Sequence, residues 1–385
     1  MNLADRMNNI PPYVFAVVAE RIREKKAQGI DILNLGIGSP DMGPPNWITE
    51  VMIEATLQSA NHRYPGYAGS PLLREAWASY YQTRFNVELH PDKEVLPLIG
   101  SKEGIPHTAL ALVGKGDIVL VPDPGYPVYN VSTILAGGTP YTMPLLEEND
   151  FLPDLDAIPT DILERTVAMW LNYPNNPTGA IAPLEFYEKV VYYAKKYDFS
   201  VLSDNPYADI TFDGYRAPSF LEAPGAMDVG IEINSLSKTY NMAGWRVGTA
   251  VGNADLIHAL LRVKSNVDTG IFYPLQAGGA AALTGDQSWV GERNKIYKKR
   301  RDIAVSALRD AGFTVSTPVA SLYVWPRVPE GYNANDLAWH LFDHANVWIT
   351  PGEAFGAAGK DFMRLALCTD AETLASGLER VKAVM

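Results

Sequence analysis

Between residues 95 and 252, short apolar runs alternate with stretches of helical periodicity, and this alternation constrains the fold more than any other feature of the chain. The runs 95–99, 118–121, 166–171, 201–203, 229–233 and 247–251 have the length of strands, and helices of about ten to fifteen residues separate most of them. Such an order predicts an α/β fold, with a mostly parallel central sheet flanked by helices on both faces. At 385 residues and 47% hydrophobic composition the chain can bury a core large enough for two domains.

Ligands of open α/β sheets gather where the strands end, and here nearly every predicted strand runs into reactive side chains. The first leads into Gly100-Ser101-Lys102-Glu103-Gly104, which opens a helix whose free N–H groups and dipole suit a phosphate. The second leads into Asp123-Pro124-Gly125-Tyr126-Pro127, which fixes an aromatic ring at the sheet's C-terminal edge. The third meets Asn172-Tyr173-Pro174-Asn175-Asn176-Pro177-Thr178-Gly179, where prolines stiffen the loop and leave amide side chains exposed. The fourth ends in Asp204-Asn205-Pro206-Tyr207, and the fifth in Ser235-Leu236-Ser237-Lys238, with Arg246 eight positions further on among glycines. Singly, each has a plain structural reading: Asp204 as a helix cap, Tyr126 as core, Asn176 as a turn residue, Lys238 as a solvated lysine. Five such endings on one sheet point instead to a cleft.

Ahead of this region, apolar residues at helical spacing predict a helix over 13–23, and a short strand over 32–35 runs into Gly36-Ile37-Gly38-Ser39-Pro40-Asp41. These glycines permit close backbone approach to a ligand, which makes Gly38 a candidate substrate contact. Ser70 can cap a helix that begins at Pro71 and runs to about Phe85. Past residue 252 we expect helices over 253–263, 275–283 and 289–309. A smaller α/β unit then follows, with strands over 313–315, 322–325, 347–349 and 363–367 and helices over 334–344 and 371–384. The expected organisation is an N-terminal segment, 1–45, joining the smaller domain, a large ligand-binding domain, 46–285, and a small C-terminal domain, 286–385.

A net charge of −12 argues against nucleic acid or an anionic membrane as partner, since both require a basic face. No apolar run approaches the roughly 18 residues that span a bilayer, and the N-terminus lacks a signal pattern, so the cytoplasm is expected. The single cysteine, Cys368, leaves no internal disulfide and no cysteine-based metal site, and its apolar surroundings read as packing.

The strand-end residues together suit one chemistry. A phosphorylated aromatic aldehyde over these strands could engage the amine of Lys238, while Asp204 holds the ring nitrogen protonated and so makes the ring an electron sink. Tyr126 could stack on the ring, Asn176 and Tyr207 could bond its phenolic oxygen, and Ser101, Ser235 and Arg246 could hold the phosphate. Lys238, once displaced by substrate, would become a free amine beside the substrate α-carbon, able to act as base and then acid.

The motifs Asn-Asn-Pro-Thr-Gly at 175–179, Asp-x-x-Tyr at 204–207, Ser-x-Ser-Lys at 235–238 and Gly-Trp-Arg-Val-Gly at 244–248, in that order, make the chain resemble the class I and II pyridoxal-phosphate aminotransferases of fold type I. The resemblance runs from about Ile32 to the C-terminus. It implies pyridoxal 5'-phosphate as cofactor, no metal, a homodimer with shared active sites, and an L-amino acid and a 2-oxo acid as substrates exchanged by a ping-pong mechanism. By the same likeness Tyr64 corresponds to the tyrosine that reaches the partner subunit's phosphate, Arg364 to the arginine that clamps the substrate α-carboxylate, and Lys102 extends the phosphate loop. The wording Ser-Leu-Ser-Lys-Thr-Tyr-Asn-Met, Gly-Ser-Lys-Glu-Gly and Asp-Pro-Gly-Tyr-Pro-Val-Tyr looks most like LL-diaminopimelate aminotransferases and their alanine and other amino-acid relatives.

Three rivals differ in class. A β-lyase or a cyclopropane-forming synthase shares the fold and most of these residues, and differs in needing no keto acid. A cofactor-binding regulator would carry an added DNA-binding module, for which residues 1–31 and an acidic total leave no room. A nicotinamide-dependent dehydrogenase would need Gly-x-Gly-x-x-Gly after its first strand, and the chain has none there.

Overall fold

The computed structural model describes residues 3–12 and 14–385; residues 1–2 and the expected helix start at Tyr13 lie outside the described residues. Among the described residues twelve strands form three sheets. A two-residue strand, β1 (Leu33–Asn34), precedes β2 (Val95–Ile99), β3 (Ile118–Asp123), β4 (Thr139–Pro144), β5 (Thr166–Leu171), β6 (Ser200–Asp204), β7 (Gly230–Ser235) and β8 (Val247–Gly252). These last seven make one sheet in the order β2-β8-β7-β6-β5-β3-β4. Four short strands follow: β9 (Tyr323–Val324), β10 (Val347–Trp348), β11 (Thr350–Pro351) and β12 (Met363–Ala366).

The large sheet is parallel except at β8, which runs antiparallel to both β2 and β7. Chain length explains the reversal. Only residues 236–246 join β7 to β8, fewer than the dozen or more that a parallel crossover needs. The return brings the start of β8 back to the end of β7, with Ser235 opposite Gly248, and sets Ile99 at the end of β2 opposite Val247. Ser101, Lys238 and Arg246 therefore emerge at one edge.

Both faces of this sheet are buried, and successive residues go to opposite cores. Val119, Trp170, Leu202 and Ile233 pack on one side with Ile105 and Leu260, whereas Leu120, Leu171, Val201 and Val247 pack on the other with Trp77, Tyr81 and Phe186. A third core joins Val18, Ile32 and Leu35 to residues of the C-terminal third such as Val305, Leu341, Trp348, Leu365 and Leu378, and also takes in Tyr207, Ile210 and Phe212. Here β1 pairs with β10 in parallel, and β12 lies between β9 and β11.

Several elements depart from expectation for identifiable reasons. The strand β4 has no apolar signature in the sequence because Pro140 and Pro144 interrupt it; as an edge strand it tolerates both. A helix at Asn46–Thr56 was also unforeseen. The expected strand at 313–315 is reduced to one isolated pairing of Thr314 with Arg327, between left-handed Gly312 and Pro318. The helix expected over 334–344 ends at His340 and widens into a π turn before left-handed Asn346. The helix Pro71–Phe85 forms as its sequence directs, with Ser70 Oγ accepting from Leu73 N at 3.3 Å.

Candidate active site

A cleft of about 520 Å³ opens at the ends of the large sheet's strands. Gly38, Ser101, Lys102, Tyr126, Asn176, Asp204, Tyr207, Ser235, Lys238, Arg246 and Arg364 all line it. These are the residues singled out from sequence, with one exception. Tyr64 is 90% exposed and lies outside the cleft of its own chain.

Lys238 sits on a single helical turn, Leu236–Thr239, and its Nζ donates to the carbonyl of Gly38. Burial pulls its pKa down to about 8, and the guanidinium groups of Arg364 and Arg246 reinforce this. The amine is therefore far easier to deprotonate than an ordinary lysine. Cys368 is pushed up to about 11 by burial, which keeps the thiol protonated.

Asp204 is 4% exposed at the end of β6. Its Oδ2 accepts from the Tyr129 hydroxyl at 2.6 Å, while its buried Oδ1 has no hydrogen-bond partner among the described residues. Burial lifts its pKa to about 7, moderated by the bond from Tyr129. The Tyr129 ring in turn stacks on Trp170 at 5.0 Å and meets Tyr126 edge-on at 5.8 Å, which holds the ring in place. Asn172 supports the same region: its Nδ2 donates to the Asp204 carbonyl at 2.6 Å and its Oδ1 accepts from Asn176 N at 2.8 Å.

Anion-binding groups cluster at the other end. Gly100 precedes the helix Ser101–Leu112 without any side-chain cap, leaving the first backbone N–H groups directed at the cleft. Gly100 must be glycine: its φ is +73°, and a Cβ there would stand 2.0 Å from Arg246 Nη2. Arg246 is fixed by the Ala243 carbonyl at 2.8 Å and Ser237 Oγ at 3.3 Å, and Ser237 shares a 2.9 Å bond with Ser235. Lys102 Nζ lies 5.7 Å from the centre of the Tyr126 ring.

Arg364 closes the third side. It is 3% exposed, donates to Asn176 Oδ1 at 2.8 Å and to the Gly36 carbonyl at 2.5 Å, and stacks over Tyr323 and Phe355. Tyr323 bonds the Tyr207 hydroxyl at 3.0 Å and occupies the space where a Cβ of Gly38 would fall, 2.1 Å from its hydroxyl. Sequence reasoning gave no role to Tyr323, Tyr129 or Asn172. Tyr323 lies in an apolar run that reads as core, Tyr129 carries only its place in the Pro-Val-Tyr wording, and nothing local sets Asn172 apart from Asn175 in the same loop.

The donor set fits a phosphorylated pyridine aldehyde. A bare, buried carboxylate oxygen suits a protonated ring nitrogen, uncapped N–H groups and an arginine suit a phosphate, and an amine of low proton affinity suits an aldehyde. No helix is long and apolar enough to cross a membrane among the described residues.

The family model described as aminotransferase class I and II matches residues 30–381. Among curated proteins the chain is 49% identical to the LL-diaminopimelate aminotransferase of Dehalococcoides mccartyi, over 99% of this chain and 98% of that one. It is equally similar to the LL-diaminopimelate aminotransferase of Moorella thermoacetica, 49% identical over 100% and 99% of the two chains. Among solved structures, substrate-bound BacF from Bacillus subtilis superposes with a TM-score of 0.95 at 37% identity, over 100% of this chain and 98% of that one.

Proposed function

The chain belongs to the class I and II aminotransferases, and we propose that it moves an amino group between LL-diaminopimelate and 2-oxoglutarate with pyridoxal 5'-phosphate held in the cleft at Lys238. Membership makes it a transaminase of fold type I. The observation that carries the cofactor reading is the bare Oδ1 of Asp204, buried with no donor among the described residues. The donor substrate rests on relatives 49% identical over the whole chain that bear the diaminopimelate name.

When bound, the cofactor supplies an electron-withdrawing ring that accepts the electron pair left when the substrate Cα loses its proton. The chain's residues do the rest. Ser101, Ser235 and Arg246, with the N–H groups of the helix behind Ser101 and with Lys102, take the phosphate. Asp204 keeps the ring nitrogen protonated through Oδ1, and Tyr126 covers the ring. Asn176 and Tyr207 bond its phenolic oxygen; Asn176, whose Oδ1 is engaged by Arg364, has its amide NH₂ as donor. Arg364 presents its planar fork to the α-carboxylate, beside the Gly36 and Gly38 backbone. The Nζ of Lys238, with its pKa near 8, takes the Cα proton as base and gives a proton back as acid.

Tyr64 serves the cleft of a second copy, so the working unit is a homodimer with two shared sites, placed in the cytoplasm. Its 90% exposure, with Tyr67, Val267 and Phe272 also exposed, supports this reading. A strictly monomeric, active protein in sedimentation would remove it.

The deciding assay compares kcat/KM for LL-diaminopimelate, alanine, aspartate, methionine and phenylalanine with 2-oxoglutarate. Diaminopimelate is expected to lead, because polar groups built for its far end are costly to leave unpaired with short apolar donors. If another donor exceeds it by about tenfold, the donor is wrong and the transaminase stands. Ammonia released without any keto acid would instead favour a lyase of the same fold.

A further inference from the structure

Arg293 is a buried cation that the proposed chemistry does not use. It lies in the long helix Ser288–Asp310, is 2% exposed, and has no carboxylate within 4.0 Å among the described residues. Burial lowers its pKa to about 10, against the raising influence of Asp209. A charge in this position is expensive unless polar groups surround it, and its partners are unusual. Nη1 donates to the backbone carbonyls of Lys238, at 2.7 Å, and of Thr239. Nη2 donates to the carbonyl of Asp209 at 2.7 Å and to Asn294 Oδ1 at 2.7 Å, and Nε reaches the same Oδ1 at 3.2 Å. All five N–H groups of the guanidinium are thereby used.

Those carbonyls belong to the two segments that carry Lys238 and Tyr207. One guanidinium ties the turn Leu236–Thr239 to the stretch that runs on from Asp204 and Tyr207 to Asp209, and anchors both to a third element. Asn294 adds a second tie to the Asp209 carbonyl at 2.9 Å. The rings of Trp289 and Tyr297 flank the guanidinium at 5.6 and 5.9 Å.

We propose that Arg293 is a positioning residue for transamination, a planar clamp that sets the lysine-bearing turn relative to the Asp204–Asp209 segment. The proposal rests on the reading of Lys238 as the proton carrier. Among the described residues no side-chain hydrogen bond runs directly between 204–209 and 236–239, whereas the Arg293 fork reaches both. Proton transfer is steep in distance, and displacement of a reacting group by about 1 Å costs roughly 100-fold. A lysine at 293 would keep the charge but offer three donors from a point, and could not span three carbonyls.

The same helix provides a control. Arg301 is 3% exposed, pairs with Asp213 and Asp302, bonds the Pro318 carbonyl at 3.0 Å, and touches neither segment. Arg293→Lys and Arg301→Lys are compared in two ways. In the cofactor-free chain, amide hydrogen exchange should accelerate in peptides covering both 205–210 and 236–241 for Arg293→Lys, and in neither for Arg301→Lys. In the loaded enzyme, Arg293→Lys should lose roughly 10- to 100-fold in kcat with KM for the amino donor nearly unchanged. Its Cα-deuterium isotope effect should rise above that of wild type, which Arg301→Lys should retain. If Arg293→Lys does not fold, Asn294→Ala is read by the same two measurements, with a smaller shift in the same direction. Exchange that is not localised to the two peptides, or an isotope effect that stays at the wild-type value, overturns the clamp. A wild-type chain that takes up no pyridoxal phosphate would sink the cofactor reading and leave the exchange experiment to decide the clamp.

Discussion

Two buried carboxylates stand on neighbouring strands of the large sheet and are treated in opposite ways. Glu232, on β7, is 0% exposed, yet its oxygens accept four hydrogen bonds: from Tyr81 and Ser219 hydroxyls at 2.9 Å each, Ser203 at 3.2 Å and Phe220 N at 3.0 Å. Asp204, on β6, accepts one, and its other oxygen is bare. Burial raises the pKa of both, but at Glu232 the bonds from Ser219, the Phe220 N–H and Tyr81 work against that rise. The lysines repeat the pattern. Lys264 is sealed between Glu103 at 2.8 Å and Asp268 at 2.6 Å, whereas Lys238 has a backbone carbonyl and two repelling arginines. A buried ion that holds the fold together is saturated by its neighbours; one kept for a ligand is left short of partners.

The contrast breaks most visibly at the cleft. Lys238→Ala should abolish multiple turnover and still bind cofactor through the phosphate contacts. Borohydride treatment of the wild-type holoenzyme should label Lys238, and labelling of a different lysine would end the assignment. Next in size, Asp204→Asn should fold and lose about 10³-fold or more in the rate of half-transamination, about 4 kcal/mol. An amide can satisfy Tyr129 but cannot hold a ring nitrogen protonated, so a near-wild-type single-turnover rate would remove the role.

Glu232→Gln should do the reverse. The amide puts a donor where the carboxylate accepted. With the amide oxygen turned to the Phe220 N–H, the NH₂ faces the Tyr81 and Ser219 hydroxyls, which lose the acceptor they donate to, so the expected loss is about 2 kcal/mol of unfolding free energy. Urea unfolding measures it, and kcat should change by less than about threefold. A large fall in kcat at unchanged stability would mean that the saturated carboxylate also serves the chemistry, and the comparison would lose its meaning.

How much of this was legible in sequence follows from what each feature depends on. The strands of the large sheet are contiguous apolar runs, and their endings are contiguous polar motifs, so both can be read directly. Asp204, Lys238 and Arg246 were found because each sits within a few residues of a strand end. Tyr129, Tyr323 and Arg293 were not, because their roles arise across the chain: Tyr129 meets Asp204 75 positions away, Tyr323 meets Tyr207 across 116, and Arg293 meets Lys238 across 55. In sequence Tyr323 is one more apolar residue and Arg293 one more charge on a polar helix. The reversal of β8 was latent in the short connection after β7, but it needed the register to become a statement about which residues share an edge.

The smallest effect tests the comparison in the absence of any ligand. Asp204 has a folded-state pKa of about 7, against about 3.9 for an unperturbed aspartate. Because the folded value is the higher one, the native chain binds the proton more tightly. Below about pH 4 both states are protonated, and the stability that protonated Asp204 contributes is fully present. As pH rises from about 4 to 7 the unfolded chain ionises first, so the stability associated with Asp204 falls through that window and is fully lost above it. Other groups titrate too, so the measurement is the difference in Tm between wild type and Asp204→Asn, both cofactor-free, at pH 5 and pH 8. For a chain of this length about 1 kcal/mol corresponds to a degree or two, and the variant should gain a few degrees on wild type across the interval. Addition of pyridoxal phosphate should restore the wild type at pH 8, since the bare oxygen then gains a cationic partner. A difference in Tm that does not vary with pH would show that Oδ1 is already satisfied in the free chain, and that the two carboxylates are alike.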